Sequence, residues 1–369
     1  MTILGRHQEH LGKLERENRL RRLVPRAGID FSSNDYLGLA NSTALRNAVR
    51  DALDRGVAVG AGGSRLLRGN DPEHEVLEAE AAAFFDAESA LFFANGFAAN
   101  NTLFAALPDR RDLIVHDALI HASVHDGMRL SFAEKKAAAH NDAQAFEEAI
   151  TGWRAAGGKG RVWIAVESLY SMDGDCAPLA ELAAIAERHE AFLVIDEAHA
   201  AGVFGSGGRG LAADLAGREN VIRLVTCGKA LGCEGALVLA PAVITDTLVN
   251  IGRGFVFSTA PSPLMAAAVR ATLGLIRAPE RREALHALIA AADRHLQVRT
   301  KTQIIPIIIG EDSETMRIAD ALQEAGFDVR GIRPPTVPKG TSRLRVSITL
   351  NVGETDIAEL ATTLRELRP

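Results

Sequence analysis

Between about residues 75 and 240 the chain alternates short apolar runs with segments whose apolar residues recur at helical spacing. The runs are Ala90-Leu91-Phe92-Phe93, Leu113-Ile114-Val115, Val162-Trp163-Ile164-Ala165-Val166, Phe192 to Ile195, Val221 to Val225 and Ala236-Leu237-Val238-Leu239. They are continuous rather than alternating, the pattern of strands buried on both faces. Leu179 to Ala191, rich in Leu, Ala and Glu, typifies the helical segments between them. This order predicts an α/β domain with a large, mostly parallel sheet and ligand chemistry at the strands' C-terminal ends.

Pro261 and Pro263 interrupt the pattern. Beyond them, Met265 to Val298 predicts one long helix, followed by a strand at Ile304 to Ile309, a helix at Thr315 to Ala325 and a strand at Leu344 to Leu350. Met1 to Arg26 reads as an amphipathic helix. The pattern divides the chain into an N-terminal helix and arm (1–40), a large α/β domain (41–262) and a small C-terminal α+β domain (263–369).

A chain of 369 residues, 47% hydrophobic and 24% charged, has the composition of a globular protein with more than one core. Its net charge of −6 argues against nucleic acid or an anionic membrane as partner. No apolar stretch reaches the roughly 18 residues of a membrane span. Cys176, Cys227 and Cys233 form no CxxC pair, which suits a reducing, cytoplasmic setting without disulfides. Glu9, Glu15 and Glu17 make the N-terminus too acidic for a transit peptide.

The most informative chemistry lies in two segments. Phe192 to Ile195 ends in Asp196-Glu197-Ala198-His199, and about thirty residues later comes Thr226-Cys227-Gly228-Lys229-Ala230. A lysine on a small-residue loop can form a Schiff base with the aldehyde of pyridoxal phosphate. An aspartate at a strand end can keep its pyridine nitrogen protonated, so that the ring accepts electrons. Asp196 to His199 also spells a helicase DEAH box, but the lysine loop lies downstream and Arg223 occupies the first glycine position of a nucleotide-binding loop.

Asn95-Gly96-Phe97-Ala98-Ala99-Asn100 leads from a strand into a helix, where main-chain amides could hold an anion or simply turn the chain. Gly60 to Arg65 is a phosphate cradle or, more simply, a loop. His116, His121 and His125 lack the carboxylate or cysteine that would complete a metal set, so no metal is expected. One of them stacked on a cofactor ring is the better functional reading, and a plain surface or core histidine the alternative. Ser258-Thr259 could donate to a phosphate or cap a helix, and Arg345 could grip a carboxylate or form a surface ion pair.

Together these segments carry a family resemblance. Phe31 to Leu39 (with Asn34-Asp35-Tyr36), Asp117 to Ser123, Glu167 to Asp175, Asp196 to His199, Thr226 to Lys229 and Ser258-Thr259 stand in the order of the α-oxoamine synthases. The chain resembles that family from about Arg21 to its end. The resemblance implies a fold-type I pyridoxal-phosphate-dependent transferase with the class I/II aminotransferase fold.

It also implies roles. Lys229 anchors the cofactor and moves the α-proton, Asp196 pairs with the pyridine nitrogen, and His121 stacks on the ring. Ser168 and His199 sit near the phenolic oxygen. Gly96, Phe97 and Thr226 hold the phosphate, with Ser258 and Thr259 reaching in from the second subunit of a homodimer with a shared active site. Arg21, Asn34, Thr336 and Arg345 face the substrates.

Gly62 to Leu66 and Arg333 to Thr341 further resemble the family branch that makes a biotin precursor. The expected reaction is decarboxylative condensation of L-alanine with pimeloyl-CoA or its acyl carrier protein form. The alternative is another family member using glycine or serine with a different acyl thioester. A non-catalytic relative would be expected to have lost Lys229.

Overall fold

A computed structural model describes residues 2–368. They form two units, one of Asn34–Ser171 with Asp175–Leu285, the other of the N-terminal residues to Ser33, Met172–Gly174 and His286 onward.

A two-residue strand β1 (Ile29–Asp30) precedes the larger unit. That unit is built on β2 (Ser89–Phe93), β3 (Leu113–Asp117), β4 (Glu134–Ala138), β5 (Val162–Glu167), β6 (Phe192–Asp196), β7 (Val221–Thr226) and β8 (Ala236–Ala240). They make one sheet in the order β2-β8-β7-β6-β5-β3-β4. Only β8 runs against its neighbours; the other pairings are parallel. Side chains alternate across it: Ile114, Trp163, Val194 and Ile222 enter one apolar cluster, and Leu113, Val115, Ile164, Leu193 and Ile195 the other. Both faces are covered, which is why these strands read as unbroken apolar runs.

Helices Gly96–Ala106 and Ala122–Leu130 pack closely on one face. Gly127 permits the approach, since a Cβ there would meet Asn101 O at 2.9 Å. The segment expected to form one long helix is two, Pro263–Arg277 and Glu280–Leu296, broken at Ala278-Pro279. Proline disfavours the helical conformation of the residue before it, and Ala278 is extended (φ −66°, ψ 135°).

In the smaller unit β9 (Ile304–Gly310), β11 (Arg330–Ile332) and β12 (Ser342–Ser347) form an antiparallel sheet in the order β11-β12-β9. Strand β1 pairs in parallel with β10 (Phe327–Asp328). Arg343 holds Met172–Gly174 in this unit through its contacts with the Met172 carbonyl and the Asp173 carboxylate. The N-terminal helix spans Gly5–Arg16 and buries none of its residues.

Candidate active site

The chemistry-bearing residues of the larger unit collect at the C-terminal ends of the parallel strands, where an open α/β sheet binds its ligands. Glu167 and Ser168 close β5, Asp196 ends β6 with His199 just beyond, and Thr226 ends β7 and leads to Lys229. His121 precedes the helix after β3, and Gly96 opens the helix after β2.

Lys229 is half-buried, on a loop tied down by Cys227 N–H donating to Gly235 O and Cys233 N–H to Cys227 O, both 2.8 Å. Its Nζ lies 2.7 Å from His199 Nε2. His199 Nδ1 in turn lies 2.6 Å from the hydroxyl of Tyr36, which donates to Asn34 Oδ1 at 3.0 Å.

A second chain of contacts starts at Asp196, whose Oδ1 accepts from Ala198 N–H at 2.9 Å. Its Oδ2 accepts from Asn100 Nδ2 at 2.7 Å, and the same amide donates to Ser123 Oγ at 3.0 Å. Ser123 Oγ is 2.8 Å from His121 Nδ1, which also accepts from Ser123 N–H at 3.3 Å. His121 Nδ1 is therefore an acceptor and its proton resides on Nε2. Burial of the imidazole, opposed by the charge of Asp196 and aided by Lys229, pulls the His121 pKa down, although the residue as a whole keeps exposed surface. A neutral imidazole with open surface suits stacking on a flat ring.

Gly96 lies against Thr226, with a Cβ built on it 3.6 Å from Thr226 Oγ1. The first amides of a helix thus stand beside a hydroxyl, an arrangement that receives an anion. Asn95 caps this helix by accepting from Ala98 N–H at 2.8 Å, and Phe97 is exposed. Ser168 is fully buried; its Oγ lies near the Glu197 carboxyl without a well-formed hydrogen bond. An unsatisfied buried hydroxyl on a residue whose N–H donates to Asp196 O at 2.9 Å, with an anion cradle and a reachable amine, fits pyridoxal phosphate.

Glu167 pairs in register with Asp196 and is 2% exposed. Burial, then the Asp196 charge, raises its pKa despite the opposing charge of Lys229. Ser258 and Thr259 are exposed, beside Ala260, whose N–H donates to Gly63 O at 2.8 Å. The Gly60 to Arg65 stretch ends in a structural anchor: Arg65 forms a two-pronged pair with Glu78 at 2.8 and 2.9 Å.

In the smaller unit, Arg21 Nη2 donates to Thr336 Oγ1 at 3.1 Å, bringing two expected substrate residues together. Arg345 is 7% exposed on β12 and donates to Ser347 Oγ at 2.7 Å. His116 packs edge-on against His125 and donates to Asp117 O. Among the described residues, no three His, Cys, Asp or Glu side chains gather as a metal site.

Asn100, Ser123 and Tyr36 were not anticipated as site residues, although each lies within a segment that stood out. Asn100 lies on the buried side of its helix with Ala99, Thr102, Leu103 and Phe104, and with Asn101 and Thr102 beside it no lone polar residue marks it in the sequence.

The sheet order and the small antiparallel unit are those of a fold-type I pyridoxal-phosphate transferase. The family described as aminotransferase class I and II matches residues 26–364. An 8-amino-7-oxononanoate synthase of Aromatoleum aromaticum is 42% identical over 358 residues, 93% of this chain and 92% of that protein. The crystal structure of 8-amino-7-oxononanoate synthase from Francisella tularensis superposes with a TM-score of 0.77 at 27% identity, covering 92% of this chain and 97% of that one. Serine palmitoyltransferase from S. paucimobilis, solved with a bound PLP-myriocin aldimine, shares the fold with a TM-score of 0.90 at 23% identity, covering 100% and 98%. The chain belongs to the aminotransferase class I and II family and, within it, to the α-oxoamine synthases, alongside the 8-amino-7-oxononanoate synthases.

Proposed function

We propose that the protein condenses L-alanine with a pimeloyl thioester, on CoA or a carrier protein, to give 8-amino-7-oxononanoate, carbon dioxide and the free thiol, a step of biotin synthesis. The observation that carries this reading is the Lys229 amine 2.7 Å from His199 Nε2, on strand ends shared with Asp196, in a chain 42% identical to a protein of that name.

Pyridoxal phosphate, when bound, supplies an electron sink for the negative charge that develops at the amino acid's α-carbon. Lys229 anchors the cofactor and moves the proton at the α-carbon. Asp196 keeps a proton on the ring nitrogen, and Asn100 holds that carboxylate in place. His121 covers the ring face, while Ser168 and His199 address the phenolic oxygen. Gly96 and Phe97 amides and the Thr226 hydroxyl hold the phosphate. Arg345 and Asn34 orient the amino acid, and Arg21 and Thr336 the acyl substrate. The exposed Ser258 and Thr259 reach the phosphate of a second copy in a homodimer. Among the described residues no helix is long and apolar enough to cross a membrane, and we place the enzyme in the cytoplasm.

The test combines absorbance with product analysis. Protein incubated with pyridoxal phosphate and reduced with borohydride should carry the cofactor on Lys229, and Lys229→Ala should not. L-alanine with pimeloyl-CoA or the pimeloyl carrier protein should yield 8-amino-7-oxononanoate by mass spectrometry. Turnover confined to glycine or L-serine would overturn the substrate, and no cofactor uptake would overturn the reaction.

A further inference from the structure

Tyr36 is 0% exposed, in a segment 163 residues from the histidine it meets. A phenol has one hydrogen to give. Tyr36 gives it to Asn34 Oδ1 at 3.0 Å, which leaves the oxygen's lone pairs for His199 Nδ1 at 2.6 Å. A nitrogen facing a lone pair at that distance must carry the hydrogen. His199 then presents a bare Nε2, and the neighbour of that nitrogen is Lys229 Nζ at 2.7 Å. The direction of every bond in the series follows from the Asn34 carbonyl.

Resting on the assignment of Lys229 as the cofactor-anchoring amine, we infer that Tyr36 is a positioning residue. With Asn34 it holds the His199 proton on Nδ1, so that Nε2 accepts a hydrogen from Lys229. His199 is thereby preset to take up a proton that Lys229 releases, and Tyr36 Oη remains to stabilise the resulting imidazolium. The proton moves from Nζ to Nε2 and returns, with no other bond made or broken. The same logic lets the second ring nitrogen govern the first wherever histidine works as a base.

The test is nitrogen-15 spectroscopy of histidine-labelled protein, with and without pyridoxal phosphate. Wild-type His199 should show a protonated Nδ1 and a bare Nε2. Tyr36→Phe removes only the hydroxyl and should move the proton to Nε2 or mix the two forms. In that variant kcat should fall about tenfold with KM within about twofold, and the pH profile of kcat should shift. Asn34→Ala frees the phenol hydrogen and should disturb the tautomer in the same direction, which guards against a Tyr36→Phe protein that misfolds.

A wild-type His199 protonated on Nε2 would overturn the inference, as would a folded Tyr36→Phe protein with unchanged tautomer and kcat. A protein with the expected tautomer that takes up no cofactor on Lys229 would instead overturn the function, and the positioning role with it.

Discussion

Asn100 Nδ2 donates to Asp196 Oδ2 across 2.7 Å, with both residues buried. A neutral amide fixes the carboxylate's orientation without cancelling its charge, which an arginine in the same place would do. The same amide continues through Ser123 to His121, so one side chain orders groups addressed to the edge and the face of the proposed cofactor. Asn100→Ala should weaken pyridoxal phosphate binding by roughly tenfold, the worth of one good charge-assisted hydrogen bond. An absorbance titration measures this, and wild-type affinity in the variant would remove Asn100 from the site.

His140 links the ends of β3 and β4 to the segment after β5. Its Nδ1 is 2.8 Å from Asp117 and its Nε2 2.8 Å from Asp175. Burial alone would lower its pKa, but the bonds to the two carboxylates raise it to about 10 from 6.5. Asp117 is also penalised by burial, and His140 with the Asn141 and Leu119 amides more than offsets this and lowers its pKa below 3.8. A raised histidine stabilises the fold fully below its unfolded value near 6.5 and loses that contribution as pH rises through about 10. The lowered Asp117 contributes above its unfolded value and loses its share in acid. Asp117 is buried but the His140 side chain is 24% exposed, so truncating the histidine costs roughly 2 kcal/mol, below the range for a fully buried pair. His140→Ala should therefore cost about that much near pH 6, and the gap to wild type should close towards pH 10. Urea unfolding across pH measures it; a pH-independent gap would contradict the ion pair.

The central strands and the Asp196 and Lys229 segments were legible because burial on both faces leaves continuous apolar runs and because strand ends concentrate chemistry. Strand β4 was not: as a sheet edge it exposes Glu134, Lys135 and Ala137, so no apolar run marks it. The helix break at Ala278-Pro279 was masked by good helix formers on both sides. Tyr36 and Asn100 meet partners 163 and 96 residues away, and local periodicity carries no information on such pairings. The motif residues themselves stood out, whereas the neutral side chains that orient them did not.

Glu197 sits inside the unit rather than in the site, its carboxylate accepting from Leu211 N–H at 2.9 Å and Ala212 N–H at 2.5 Å. Gly210 makes room for it: its φ is +92° and a Cβ there would fall 2.0 Å from Glu197 Oε2. Gly210→Ala should destabilise the protein by roughly 2–4 kcal/mol, from left-handed strain and the displaced carboxylate together. Thermal unfolding reads this directly, and a loss under about 1 kcal/mol would mean that the loop gives way at little cost.

Glu167 offers the opposite pH signature to His140. Burial and the neighbouring Asp196 charge raise its pKa well above 4.5, so the folded chain keeps a proton that the unfolded chain has released. Where the folded state binds more protons, stability falls as pH rises. The penalty accumulates from the unfolded pKa upward and levels off once the folded carboxyl also ionises. Glu167→Gln keeps the shape and the hydrogen-bonding capacity of the protonated acid while removing the ionisation. The variant should match wild type near pH 4.5 and exceed its stability increasingly towards pH 8, with Ser171 N–H still finding an oxygen where it now donates to Glu167 Oε2 at 3.1 Å. Unfolding free energies measured at both ends of that range decide it. A variant less stable by the same amount throughout would mean that Glu167 is ionised in the folded protein, with Lys229 rather than a proton balancing its charge.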